Sequence, residues 1–262
     1  MRGRKKIVRI LLIVLVIIFI VSIVGIVFYL GRQEEAKDVN ERLQEIAAKE
    51  QSTKEKNSDS ESTSALEEAF VSPIDFEALQ EENADIYGWI RIEDTAIDYP
   101  ILQSSTDDPD YYTNYTVDGT EGYPGAIFTE SDLNTDPFED AVTVVYGHRM
   151  KNDTMFGSLD LWTDDSYRQE HSTIKVYTQK HTYTYEITFV QAYDTRNILA
   201  NYDCNTEEGY SEFLKSLENV RMLPYWHSDE KETSTEDTLI VLSTCYGDNR
   251  LLVGAVLTEK ES

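Results

Sequence analysis

From Ile10 to Leu30 the chain is apolar apart from Ser22, Gly25 and Tyr29. Helical residues rise about 1.5 Å each, so this run spans about 31 Å, the thickness of one bilayer core, and predicts a transmembrane helix. From Arg32 to about Ser64 the pattern reverses. Charged and small polar residues dominate, and Val39, Leu43 and Ile46 make only a narrow helical stripe, which predicts a stalk. The part from Gln51 to Ser64 has no apolar side chain to offset the entropy of ordering and is expected to be disordered. Ser72-Pro73-Ile74-Asp75 then reads as an N-cap with proline at the first helical position, and Phe76, Leu79 and Ile86 supply one apolar helix face.

Beyond this helix the period changes to that of strands. Runs rich in β-branched and aromatic residues recur at Trp89–Ile92, Ile97–Leu102, Ala126–Thr129, Ala141–Tyr146, Thr173–Thr178, Tyr183–Ala192, Thr238–Thr244 and Leu251–Leu257. Leu239-Ile240-Val241-Leu242 and Leu251-Leu252-Val253 are continuously apolar, as interior strands are, so a mainly β fold with a closed or nearly closed eight-stranded barrel is expected. Between the sixth and seventh runs, Phe213, Leu214, Leu217 and Val220 share a helical face, predicting a helix inserted over Tyr210–Val220. The expected organisation is a tail at 1–9, an anchor at 10–30, a stalk at 31–71 and one folded domain at 72–262.

Charge orients this arrangement. Arg2, Arg4, Lys5, Lys6 and Arg9 precede the apolar run without an acid, which places the N-terminus in the cytoplasm and the remainder outside the cell. A cleavable leader has a shorter apolar core and a small-residue cleavage site; here Phe28-Tyr29-Leu30-Gly31-Arg32 follows, as for an uncleaved anchor. Of 23 basic and 49 acidic residues, removing those five bases leaves 18 against 49, a balance of −31 that argues against nucleic-acid binding. The histidines lack paired metal-ligand spacing and the acids form no EF-hand-like loop, so no metal or other cofactor is expected.

Candidate chemistry rests on few residues. The two cysteines, Cys204 and Cys245, face an oxidising compartment, and a disulfide between them is one reading. The other is a nucleophile: Cys245 ends an apolar strand, where a rigid scaffold presents a thiol well. Thiol catalysis needs a proton shuttle, and among four histidines only His148 also ends an apolar strand, just after Gly147. His171, His181 and His227 lie in polar turns and loops. Arg250 opens the last strand and offers fixed donors for a developing oxyanion, unless it pairs with Asp248 on the surface.

Leu242-Ser243-Thr244-Cys245, followed by Arg250, resembles the nucleophile strand of sortases. Tyr146-Gly147-His148-Arg149-Met150 with Met155-Phe156-Gly157-Ser158-Leu159 is similar to the histidine segment of class B sortases. So are Asn83–Ile90 and Asp98–Gln103, and the helix at Tyr210–Val220 resembles that class's insertion. The resemblance covers roughly 72–258. It implies a sortase-like barrel and a cysteine transpeptidase with His148, Cys245 and Arg250 catalytic and no cofactor. Substrate contacts would come from Ser243, Thr244, Tyr246, Tyr112 and Thr113. The implied partners are secreted proteins bearing a C-terminal sorting signal and an amine from a cell-wall precursor or a pilin lysine. Two departures stand out: a shorter segment between Cys245 and Arg250, and Tyr112-Thr113 where the family often has Tyr-Leu. A non-catalytic anchored adhesin and a hydrolytic cysteine peptidase are the alternatives.

Overall fold

The computed structural model describes residues 2–54, 70–219 and 222–262, with side chains described for 9, 11–48, 70–219 and 222–262. It divides into two compact units, Met1–Asp38 and Val39–Ser262. The first is the start of α1 (Arg2–Lys54), whose apolar stretch from Leu11 is long and apolar enough to cross a membrane.

The second unit begins earlier than the polar pattern suggests. The expected stalk at 31–71 does not hold for the last part of α1: Leu43 and Ala47 are buried, at 1% and 0% exposure. They pack with Phe76, Leu79, Trp89 and Tyr112. Gln44 donates to the Asp98 carbonyl at 2.8 Å and Arg42 pairs with Glu82 at 2.8 Å. A stripe this narrow suffices because it fills one shallow site on a formed domain. Residues 51–54, the start of the segment expected to be disordered, instead continue α1; the rest of that segment, 55–64, lies outside the described residues, as do 65–69. The next helix, α2 (Phe76–Glu82), is capped by Asp75, which accepts from Ala78 N, and not by Ser72. It ends before Ile86, which opens β1 (Ile86–Arg91).

The remaining strands are β2 (Asp98–Gln103), β3 (Phe128–Thr129), β4 (Val142–Tyr146), β5 (Thr173–Tyr177), β6 (Thr182–Tyr193), β7 (Met222–His227), β8 (Leu239–Tyr246) and β9 (Asn249–Glu261). They pair in the order β5-β1-β2-β3-β4-β8-β9-β6, and β5 pairs again with β6, closing an eight-stranded barrel. All pairs are antiparallel except β2–β3 and β4–β8. Strand β7 is additional. It hangs on β6 outside the closed ring, and its Pro224 hides it from sequence because proline is confined to edge strands and bulges.

Alternation along the strands sorts side chains into two cores. Ile90, Ile101, Val145, Ile240, Leu242, Leu251 and Val253 fill the barrel. Val144, Leu239, Val241 and Leu252 face outward, beneath α4 (Ile198–Asn201) and α5 (Glu207–Asn219), whose Tyr210, Phe213 and Leu217 cover them. Strands β8 and β9 are apolar on both faces because both are covered. Helix α5 is the expected insertion between the sixth and seventh barrel strands; Val220 lies outside the described residues.

Candidate active site

Strands β4 and β8 run parallel, and β4 ends with Tyr146 opposite Ser243, while β8 continues to Tyr246. Gly147 N donates to Ser243 O at 3.2 Å, and the buried Thr244 hydroxyl donates to Gly147 O at 2.8 Å. The pairing thus carries one residue past β4, and alternation puts His148 level with Cys245 on the face that Tyr146 and Ser243 share. Gly147 is needed for close packing. A Cβ there would stand 2.5 Å from Ile127 Cδ1 and 2.7 Å from the Phe156 ring.

On its other side, Cys245 is the direct antiparallel partner of Arg250. Tyr246 pairs with Asn249, and a two-residue turn, Gly247-Asp248, closes the hairpin with Gly247 at φ +61°. The short segment between Cys245 and Arg250 therefore makes them cross-strand neighbours, with Cβ atoms about 5 Å apart in such pairs. Arg250 forms no ion pair among the described residues, with Asp248 or any other acid. Its guanidinium carbon lies 5.9 Å from the Tyr146 ring centroid.

These residues line one open cleft of about 380 Å³ on the outer face of the barrel, with Thr113, Glu130, Tyr193, Arg196, Asn197 and Leu252 among its walls. His148 Nε2 lies 2.9 Å from the Thr113 carbonyl, and its ring meets the Tyr123 ring edge at a centroid distance of 5.2 Å. Cys245 is exposed while Cys204 is buried, and both thiols are free, so the disulfide reading fails. Burial, with Asp203 adding, pushes the Cys204 thiol up to about 12, which makes it inert. His171, His181 and His227 lie outside the cleft. Among the described residues no cluster of three or more His, Cys, Asp or Glu is arranged to hold a metal ion.

Of the expected substrate contacts, Ser243 and Thr113 line the cleft; Thr244, Tyr246 and Tyr112 do not. Thr244 and Tyr246 alternate to the opposite face of β8, where Thr244 is fully buried and Tyr246 packs on the barrel core. Tyr112 is buried, donates to Asp85 Oδ2 at 2.7 Å and accepts from Asn83 Nδ2 at 3.0 Å, so it supports the loop that brings the Thr113 carbonyl to His148.

The cleft also holds groups that no motif pointed to. Glu130 is 6% exposed and accepts from Asn197 Nδ2 with both oxygens, at 2.6 and 2.9 Å. Burial pushes its carboxyl up to about 7; Asn197 and Tyr146 oppose this and Asp110 reinforces it. Burial and then Glu130 raise Tyr146 in turn, while Arg250 opposes. The Tyr146 hydroxyl is buried without a hydrogen-bond partner among the described residues. Its place in the cleft was signalled by the period of two back from His148, whereas nothing in the sequence marks Glu130.

A thiol, an imidazole and a guanidinium on three adjacent strand ends are the parts of a cysteine acyl-transfer enzyme. The Sortase domain family model matches residues 90–258. Sortase B of Listeria monocytogenes is 33% identical over 187 residues, 70% of this chain and 73% of that protein. The crystal structure of sortase B from Bacillus anthracis in complex with AAEK1 has a TM-score of 0.66 at 29% identity, covering 87% of this chain and 98% of that one. Sortase B of Clostridium perfringens gives 0.60 at 26% identity, over 70% and 100%. The chain belongs to the sortase family, class B. It is a sortase-type cysteine transpeptidase.

Proposed function

We propose that this enzyme cleaves the C-terminal sorting signal of secreted proteins and joins the released carboxyl end to an amine of a cell-wall precursor or a pilin lysine. The observation that carries this reading is the flanking of Cys245 by His148 on one side and Arg250 on the other. The Cys245 thiolate attacks the carbonyl carbon before the scissile bond, and Arg250 donates to the oxyanion that develops. As the tetrahedral species collapses, the C–N bond breaks, and the His148 imidazolium gives its proton to the departing amine. A thioester on Cys245 and a neutral His148 remain. An incoming amine then attacks the thioester, His148 takes its proton, the thiolate leaves, and an amide results.

The N-terminal anchor and its basic flank support a single-pass arrangement with the catalytic domain outside the cell, in the plane where membrane-held precursors pass. The sorting signal of such a precursor would carry a short motif ahead of an apolar segment and a basic tail. Product analysis tests the reaction type. With a sorting peptide and an added amine, the expected product is the amide, formed at the expense of free acid as the amine rises. Free acid alone at every amine concentration would make the enzyme a peptidase.

A further inference from the structure

His148 and Cys245 lie past the end of the regular pairing between β4 and β8. Among the described residues, the last backbone hydrogen bond between the two segments runs from Gly147 N to Ser243 O. At the next level the Thr244 hydroxyl takes the Gly147 carbonyl. Two residues further, on the face opposite the cleft, Arg149 meets Tyr246, its guanidinium carbon 5.7 Å from the ring centroid. Arg149 is itself fixed. Its Nε donates to both Asp160 oxygens, at 3.1 and 3.0 Å, and its Nη2 donates to Asp160 as well. Asp160 belongs to a 3-10 turn over Gly157–Thr163, whose Leu159 and Trp162 are buried in the barrel core. Tyr246 rests partly buried on the same core.

A planar guanidinium over an aromatic face, held by a carboxylate fork, has a defined orientation that a lysine would lack. Each member adjoins a residue of the site: Arg149 follows His148, and Tyr246 follows Cys245. We propose that Arg149 and Tyr246, anchored by Asp160, form a positioning rung that holds the His148 imidazole level with the Cys245 thiol. The inference rests on the proposed roles of those two groups. It gives the first residue after the nucleophile, which faces away from the cleft, a part in the reaction.

The test is the rate at which iodoacetamide alkylates Cys245 in the full-length chain in detergent micelles, followed by intact mass and peptide mapping. It needs no substrate, and buried Cys204 is a slow internal reference. An imidazole held level with the thiol assists its attack, so Tyr246→Leu and Asp160→Asn are each expected to slow alkylation at pH 7 roughly 3- to 10-fold. Tyr246→Phe keeps the ring face and should match wild type. Asp160→Asn is decisive in sign: removing a negative charge alone favours the thiolate and speeds the reaction, whereas a loosened rung slows it. Faster or unchanged alkylation in Asp160→Asn, or wild-type rates in Tyr246→Leu, would overturn the proposal. Turnover of a sorting peptide should fall in kcat with KM unchanged. A wild type that turns over no peptide would defeat the proposed function, while the alkylation rates still judge the rung.

Discussion

Glu130 shows how one buried side chain couples the cleft to pH. Its carboxyl is held up at about 7 by burial, above the ordinary glutamate value of about 4.3 that the unfolded chain keeps. The folded state therefore binds this proton more tightly than the unfolded state. The contribution is fully present below about pH 4.3 and is lost as pH rises through 7. At about 1.4 kcal/mol for each tenfold change in proton affinity, this difference corresponds to about 3–4 kcal/mol. Glu130→Gln keeps a partner for Asn197 and cannot ionise. In urea unfolding, wild type should lose about 3 kcal/mol more than Glu130→Gln between pH 4.5 and pH 8. Parallel pH dependence in the two proteins would contradict the assignment. Glu130 was not legible beforehand: an acid after a short strand reads as a surface residue until the fold covers it with Asn197 and Tyr146. His148, Cys245 and Arg250 could be singled out by their places at strand ends, but it was the resemblance of their segments to sortases that tied them into one candidate site.

At the scale of elements, strand ends make the site, and their registers are what the sequence does not print. Thr244 illustrates this: it reads as a substrate contact beside the nucleophile, yet alternation turns it to the buried face, where its hydroxyl joins β8 to the Gly147 carbonyl. Thr244→Val keeps the shape and leaves that carbonyl unpaired, so thermal or urea unfolding should show a loss of about 1–3 kcal/mol. Retained stability would mean that another donor takes its place. The end of α1 illustrates the opposite difficulty. Its apolar stripe is too sparse to declare a packed element, and only the finished domain supplies the site that Leu43 enters. Leu43→Ala is expected to cost about 2–4 kcal/mol, measured the same way, whereas a freely hanging stalk would show no change. Strand β7 stayed hidden for a local reason, since Pro224 removes a donor and, among the described residues, it pairs with β6 alone.

At the scale of the whole molecule, an apolar helix long enough to span a bilayer precedes a barrel whose outer face carries a thiol cleft. The strong acidity of the chain bears on solubility and steering and leaves the chemistry to the cleft. Transpeptidation through Cys245 predicts a covalent thioacyl intermediate. The most direct test is the intact mass of the full-length enzyme incubated with a panel of sorting-signal peptides in the absence of an amine acceptor, with Cys245→Ala alongside. The expected result is an adduct equal to the N-terminal fragment of one peptide class, mapped to Cys245 and absent from the variant. A wild type that stays unmodified with every peptide, or an adduct that persists in Cys245→Ala, would contradict it.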